Sequence, residues 1–149
     1  MNDLADMKLR PVQCEDAQAV AELAAQLGYK RTTDQIREWV ENLSEYEDQA
    51  AFVAEIAGEV IGWVEVSLER RLQSDTFGMI GGLVVKDGVR SHGVGRLLCR
   101  RAEEWSRQKG VKKIRVTSRS TREAAHRFYL RDEYEVVKTS LVFEKTMER

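Results

Sequence analysis

The sequence predicts an α/β (α+β) fold, a mixed central sheet of about seven strands with helices on both faces. Three observations predict it. Two amphipathic helical stretches lie within residues 20–43, and the apolar period then switches from helical to alternating across residues 49–85. A glycine- and arginine-bearing loop next joins a strand to a long amphipathic stretch that leads into another strand. That order makes a right-handed strand–helix–strand unit.

Each element has its own signal. "MKLRPV" reads as a first strand, with Pro11 placing it near an edge or strand end. Val20, Leu23, Ala24 and Leu27 recur at helical spacing, and Gly28 stands at the C-terminal cap position. A second helix opens on Thr32, with Gln35 as its capping-box partner and Ile36, Trp39, Val40 and Leu43 as its apolar face. Two β-rich runs flank "AGE", a hairpin turn around Gly58. The next run, "TFGMIGGLVV", carries Gly78, Gly81 and Gly82, and glycine inside a strand marks a bulge or a close approach. After the loop "KDGVRSHG", Val94, Leu98, Ala102 and Trp105 form the buried stripe of a long helix that ends at Gly110. "KKIRVTS" is a strand, and "STREAAHRFYLR" a helix capped by Ser120 with Glu123 as its box partner. "YEVV" and "TSLVFEKT" read as closing strands.

Composition narrows the function. The chain has 149 residues, 42% hydrophobic and 33% charged, which is enough for one core, so residues 1–149 read as a single domain. A net charge of −1 argues against nucleic acid and anionic membrane as partners, so any anion site must be local. Cys14 and Cys99 lack paired spacing and suggest thiols in a reducing compartment, with no metal site. With no signal-like or membrane-spanning stretch, a cytoplasmic protein is expected.

"VRSHGVGRLL" is the most informative segment. A helix N-terminus offers unpaired N–H groups to an anion, and Gly93 and Gly95 let the backbone come close. Arg90, His92 and Arg96 add donors. By its own letters the loop reads equally well as a solvated basic turn. It lacks the third glycine of a dinucleotide fingerprint and the Gly-Lys-Ser/Thr of a P-loop.

Arg90-Ser91-His92-Gly93-Val94-Gly95 resembles the Arg/Gln-x-x-Gly-x-Gly/Ala pyrophosphate signature of the GNAT superfamily of N-acetyltransferases. The preceding Leu83-Val84-Val85 matches that family's Leu-x-Val strand end, and Ala125 with Tyr129 in "AAHRFY" matches its Ala-x-x-x-Tyr helix. The resemblance runs over nearly the whole chain and implies an acetyl-CoA-dependent transferase. Leu83 and Val85 would pair with the pantetheine arm as though it were an extra strand. Residues His92 to Arg96 would hold the pyrophosphate, and Ser118, Arg122 and Arg131 join the cofactor-binding set. Tyr129 would be the general acid; its structural alternative is a helix-face tyrosine packed beside Phe128. The resemblance also implies that the glycine-rich strand splays to leave room for the acetyl group.

Acetylation needs a neutral amine, a stabilised oxyanion and protonation of the departing thiolate. A main-chain N–H such as that of Val85 could serve the oxyanion. Many relatives carry a glutamate just before Leu-x-Val, where this chain has Gly81 and Gly82. Glu65 in "WVEVSLE" is therefore the substitute base, with Glu69 and Asp75 behind it and an outward-facing strand glutamate as the plain reading. His92 and His126 are weaker candidates. Glu133 stands where relatives have glycine at the left-handed helix exit. Arg122 with "AHRFYLR" resembles a subset acting on small amines, including aminoalkylphosphonate and aminoglycoside acetyltransferase-like proteins. The acceptor is thus a small-molecule amine; a protein or peptide amine and a non-catalytic acyl-CoA module are the alternatives. Glu45, Glu47 and Asp48 suit a cationic acceptor, whereas Arg70 and Arg71 suit an anionic one. The family's habit of pairing implies a homodimer.

Overall fold

A computed structural model describes residues 6–89 and 93–148. It divides into two compact units, Met1–Thr117 and Ser118–Arg149.

The first unit holds β1 (Met7–Pro11), a short 3-10 turn (Cys14–Asp16), α1 (Ala17–Ala25), α2 (Thr33–Leu43), β2 (Gln49–Ile56), β3 (Glu59–Arg71), β4 (Ser74–Val85), α3 (Val94–Gln108) and β5 (Ile114–Val116). The sheet order is β1-β2-β3-β4-β5, antiparallel as far as β4 and parallel between β4 and β5. Mixed pairing follows from the connections: hairpins join β2, β3 and β4, while α3 is the crossover to β5. Ala51, Phe52, Val53 and Ala54 are buried in succession, which requires cover on both faces of the sheet.

Capping follows the sequence at several ends. The Thr32 hydroxyl accepts from the Gln35 N–H, and the Gln35 side chain accepts from the Thr32 N–H, both at 3.0 Å. The Gly58 hairpin has Ala57 at φ 51° and Gly58 at φ 82°, both in the left-handed region that a tight hairpin demands. Ahead of α1, Arg10 donates to both oxygens of Asp16 (2.8 and 2.9 Å) and to Glu55 (2.8 Å), tying β1 and β2 to the start of that helix.

Ser118–Arg149 contains α4 (Glu123–Arg131). Its start differs from expectation: Ser120 is not the cap. The Arg122 N–H donates to Arg119 O and the Glu123 N–H to Thr121 O, so residues 119–122 form a turn and the helix begins after Arg122. The helix exits through Glu133 at φ 70°, with the Tyr134 N–H donating to Tyr129 O at 3.0 Å. A glutamate therefore fills the left-handed position that glycine would fill without strain.

The described residues contain five strands, not about seven, because "YEVV" and "TSLVFEKT" form none. A strand needs a ladder partner for its backbone groups, and residues 135–148 have none among the described residues. Their apolar side chains lie open: Val136 is 76% exposed and Phe143 88%.

Candidate active site

The site follows from one irregularity in β4. Glu65 pairs with Gly82 and Val66 with Ile80, which leaves Gly81 as an extra, bulged residue. A bulge bends its strand and increases the local twist. Accordingly, β4 pairs with β5 only over Gly78–Ile80 and then diverges from it. Residues 81–85 keep β3 as their sole strand neighbour among the described residues.

The edge of β4 turned away from β3 here is the one expected to take the cofactor arm. The Lys86 N–H donates to Ile61 O on β3 (2.8 Å), so by strand alternation the peptide groups of Leu83 and Val85 point away from β3. Those of Val84 point toward β3, and its side chain is buried. Gln26, just beyond α1, bridges the end of this edge. Its Nε2 donates to Val85 O (3.1 Å), and its Oε1 accepts from the Asp87 N–H (3.2 Å).

The glycines of β4 are close contacts, not open space. A Cβ on Gly82 would stand 2.8 Å from Cζ3 of Trp63, and one on Gly81 would stand 3.3 Å from Oε1 of Glu65. One on Gly78 would run into Ser106 of α3. The Trp63 ring and the Glu65 carboxylate lie over Gly82 and Gly81, in keeping with the close approach that strand glycines mark. Glu65 thus brings a carboxylate from the neighbouring strand to the place where a side chain at position 81 would begin.

Glu65 makes no hydrogen bond or ion pair among the described residues, and burial pushes its carboxyl above the ordinary glutamate value. The Trp63 indole N–H is also buried without a partner among the described residues. Gly62, Val64 and Val66 face α3, since a Cβ on Gly62 would meet Leu98 and Val94. Alternation then puts Trp63, Glu65, Ser67 and Glu69 together on the opposite face.

At the other end of the loop, Gly93 caps α3 at φ 82°, a left-handed conformation that suits glycine, and Leu97 N–H donates to its carbonyl. Val94 and Gly95 are buried, and Arg96 is exposed. Arg90, Ser91 and His92 lie outside the described residues.

In the second unit, Tyr129 packs edge-on against Phe128 and Tyr134, with ring centroids 5.1 and 5.7 Å away. The His126 Nε2 donates to Arg119 O at 2.8 Å, which commits that nitrogen to the turn before α4. The Ser118 hydroxyl is buried with no partner among the described residues. Arg122 is the N-cap residue of α4, and Arg131 lies in its last turn.

Among the other acids, Glu69 sits across from Phe77, and Asp75 is exposed near the start of β4. Asp48 stands 3.7 Å from Arg70, so these two opposing hints about acceptor charge pair with each other. Sequence reasoning missed Gln26 and Trp63. Alternation in "GWVEV" could have placed Trp63 on the face of Glu65; no local pattern marks Gln26. Among the described residues, no group of three or more His, Cys, Asp or Glu could hold a metal ion, and no helix is long and apolar enough to cross a membrane.

Comparison with known proteins adds independent findings. The model of the acetyltransferase (GNAT) family matches residues 17–133. An aminoalkylphosphonate N-acetyltransferase of Salmonella typhimurium is 36% identical over 78 residues, which is 52% of this chain and 51% of that protein. The match therefore spans about half the length of that curated relative. Aminoglycoside N-acetyltransferase AAC(6')-Iy in complex with CoA superposes with a TM-score of 0.83 at 18% identity, covering 93% of this chain and 94% of that one. Aminoglycoside 6'-N-acetyltransferase AAC(6')-Ih of Acinetobacter baumannii gives 0.82 at 15% identity, covering 95% and 99%. At such identities these structures establish a shared fold.

Proposed function

Since the chain belongs to the acetyltransferase (GNAT) family, we propose that it transfers the acetyl group of acetyl-CoA to a primary amine of a small molecule, by direct attack in a ternary complex. The carrying observation is the half-buried Glu65 carboxylate, without a partner among the described residues, beside the bulged end of β4. The aminoalkylphosphonate and aminoglycoside acetyltransferases that the chain resembles support a small amine as acceptor.

The residues present fit acetyl-CoA. The peptide groups of Leu83 and Val85 lie on the edge that β5 leaves, flanking Val84, and would bind the pantetheine arm. Arg90, Ser91, His92, Gly93, Val94, Gly95 and Arg96 would hold the pyrophosphate; the left-handed Gly93 at the start of α3 suits that role. Ser118, Arg122 and Arg131 complete the cofactor set. When bound, acetyl-CoA supplies the activated acyl group.

Glu65 takes the proton that frees the amine for attack, and its raised pKa makes it a stronger base than an exposed carboxylate. A main-chain N–H at the end of β4, such as that of Val85, would face the acetyl oxygen and stabilise negative charge there. Tyr129 returns a proton to the departing thiolate.

The family match extends across both compact units, which supports reading residues 1–149 as one N-acetyltransferase domain. The open apolar side chains at Val136, Val142 and Phe143 support a homodimer. Free thiols at Cys14 and Cys99 support a cytoplasmic place.

The test is a panel of small amines and peptides assayed for CoA release from acetyl-CoA. Release that depends on a small amine supports the proposal. Release with peptides alone moves the function to a peptide acetyltransferase, and acetyl-CoA binding without release for any amine makes the chain a binding module.

A further inference from the structure

The chain leaving β4 is held from both sides at Lys86. On one side the Lys86 N–H donates to Ile61 O of β3 at 2.8 Å. On the other, the Gln26 Nε2 donates to Val85 O at 3.1 Å, and the Gln26 Oε1 accepts from the Asp87 N–H at 3.2 Å. One carboxamide thus answers the carbonyl before Lys86 and the N–H after it. A residue of a parallel neighbouring strand bonds in the same manner, through its own N–H and C=O. Gln26 acts as a single rung of a further strand on the outer edge of β4.

That rung has a firm base. Gln26 is the C-cap residue of α1, its own N–H donates to Leu23 O at 3.1 Å, and Leu23 and Ala24 before it are buried in the core. A close-packed helix end does not shift freely. Both side-chain hydrogen bonds that Gln26 makes among the described residues go to residues 85–87, and none goes to its own helix.

What the rung holds is the way into the glycine loop. Lys86 opens a tight turn in which the Val89 N–H donates to Lys86 O at 3.2 Å and Gly88 takes φ 92°. The two peptide units flanking Lys86 therefore have all four of their polar groups bonded, two of them by Gln26. Beyond this turn the chain runs to Gly93, the N-cap of α3. A loop whose entry is already fixed loses less conformational freedom when a ligand orders it, so it binds more tightly for the same contacts.

We propose that Gln26 is a positioning residue for acetyl-CoA: its carboxamide takes the Val85 carbonyl, which ends the stretch of β4 edge available to the pantetheine arm, and it fixes the entry of the pyrophosphate loop. This rests on the acetyltransferase reading and deepens it, adding a residue of α1 to a cofactor set otherwise drawn from position 83 onward. Gln26 acts on the cofactor and leaves the amine to other residues.

The experiment uses the full chain. Gln26→Met keeps the length of the side chain and removes both bonds; Gln26→Asn keeps the amide but is one methylene too short to span both partners. Calorimetric titration with CoA should give a Kd raised about tenfold in each variant. In turnover with the amine that wild-type protein acetylates, KM for acetyl-CoA should rise by a similar factor, with kcat at saturating acetyl-CoA within about twofold and KM for the amine unchanged. A glutamine that only stabilises the fold would, when replaced, lower the melting temperature and leave Kd and KM as they were, and that result overturns the proposal. Tighter CoA binding in the variants overturns it too, because the carboxamide would then be standing in the cofactor's place. The two readings fail separately. If the wild-type chain binds CoA but acetylates no amine, the transferase reading falls while the Kd comparison still decides Gln26. Turnover by both variants with wild-type KM removes Gln26 and leaves the transferase standing.

Discussion

Replacing Glu65 by glutamine preserves the shape of the side chain while removing its charge and basicity. Positioned general bases contribute about 100- to 10,000-fold. Among the described residues, Glu65 has no hydrogen bond or cation to fix its carboxylate, which argues for the lower half of that range. The variant should lose about 100- to 1,000-fold in kcat/KM, or about 3–4 kcal/mol of transition-state stabilisation. Burial raises the Glu65 carboxyl, so the wild-type acid limb should lie above the ordinary glutamate range and vanish in the variant. Stability should move in the other direction. A raised carboxyl pKa means that the native state holds its proton more tightly than the unfolded chain. The associated stability is fully present below the unfolded pKa and is lost as pH rises through the folded one. At neutral pH, ionised Glu65 is therefore a cost that glutamine removes. The melting temperature of Glu65→Gln should equal or exceed that of the wild type near pH 7, with the gap closing in acid. Thiol release followed across pH, with thermal melts at acid and neutral pH, reads both effects. An acid limb that persists unchanged in the variant would refute this role for Glu65.

Three further perturbations probe separate parts of the structure. Gly78→Ala drives a methyl group into Ser106, whose own Cβ stands 3.1 Å from the new atom, and should cost about 1–3 kcal/mol; thermal melts should show Ser106→Gly removing much of that penalty, and additive effects would count against the contact. Gly93→Asp puts an L side chain at φ 82° and a negative charge at the start of α3, so calorimetry should show acetyl-CoA binding abolished; unchanged affinity would dismiss the phosphate cradle. Tyr129→Phe should lower kcat about 100-fold while leaving acetyl-CoA affinity intact, and a fully active variant would exclude Tyr129 as the general acid.

Local sequence carried the elements whose signals are local. Thr32 with Gln35, the turn at Gly58 and the glycine ends at Gly28 and Gly110 adopt the expected capping and left-handed conformations. The strand glycines were legible as a sign of close approach, but not for what approaches them. Trp63 and Glu65 reach Gly82 and Gly81 through cross-strand register, which a one-residue bulge determines and composition does not reveal. Gln26 bonds to residues about sixty positions away, beyond any local pattern. The terminal segments had the alternation of strands, yet that pattern predicts a strand only where a partner edge is at hand.

The central claim is acetyl transfer from acetyl-CoA directly to a small amine. Initial rates of CoA release, measured with both substrates varied and the acetylated amine quantified, test it most directly. Intersecting reciprocal plots, with one acetylated amine formed per CoA released, are the predicted result. Parallel plots would contradict direct attack, and CoA release that ignores the amine would contradict the transferase itself.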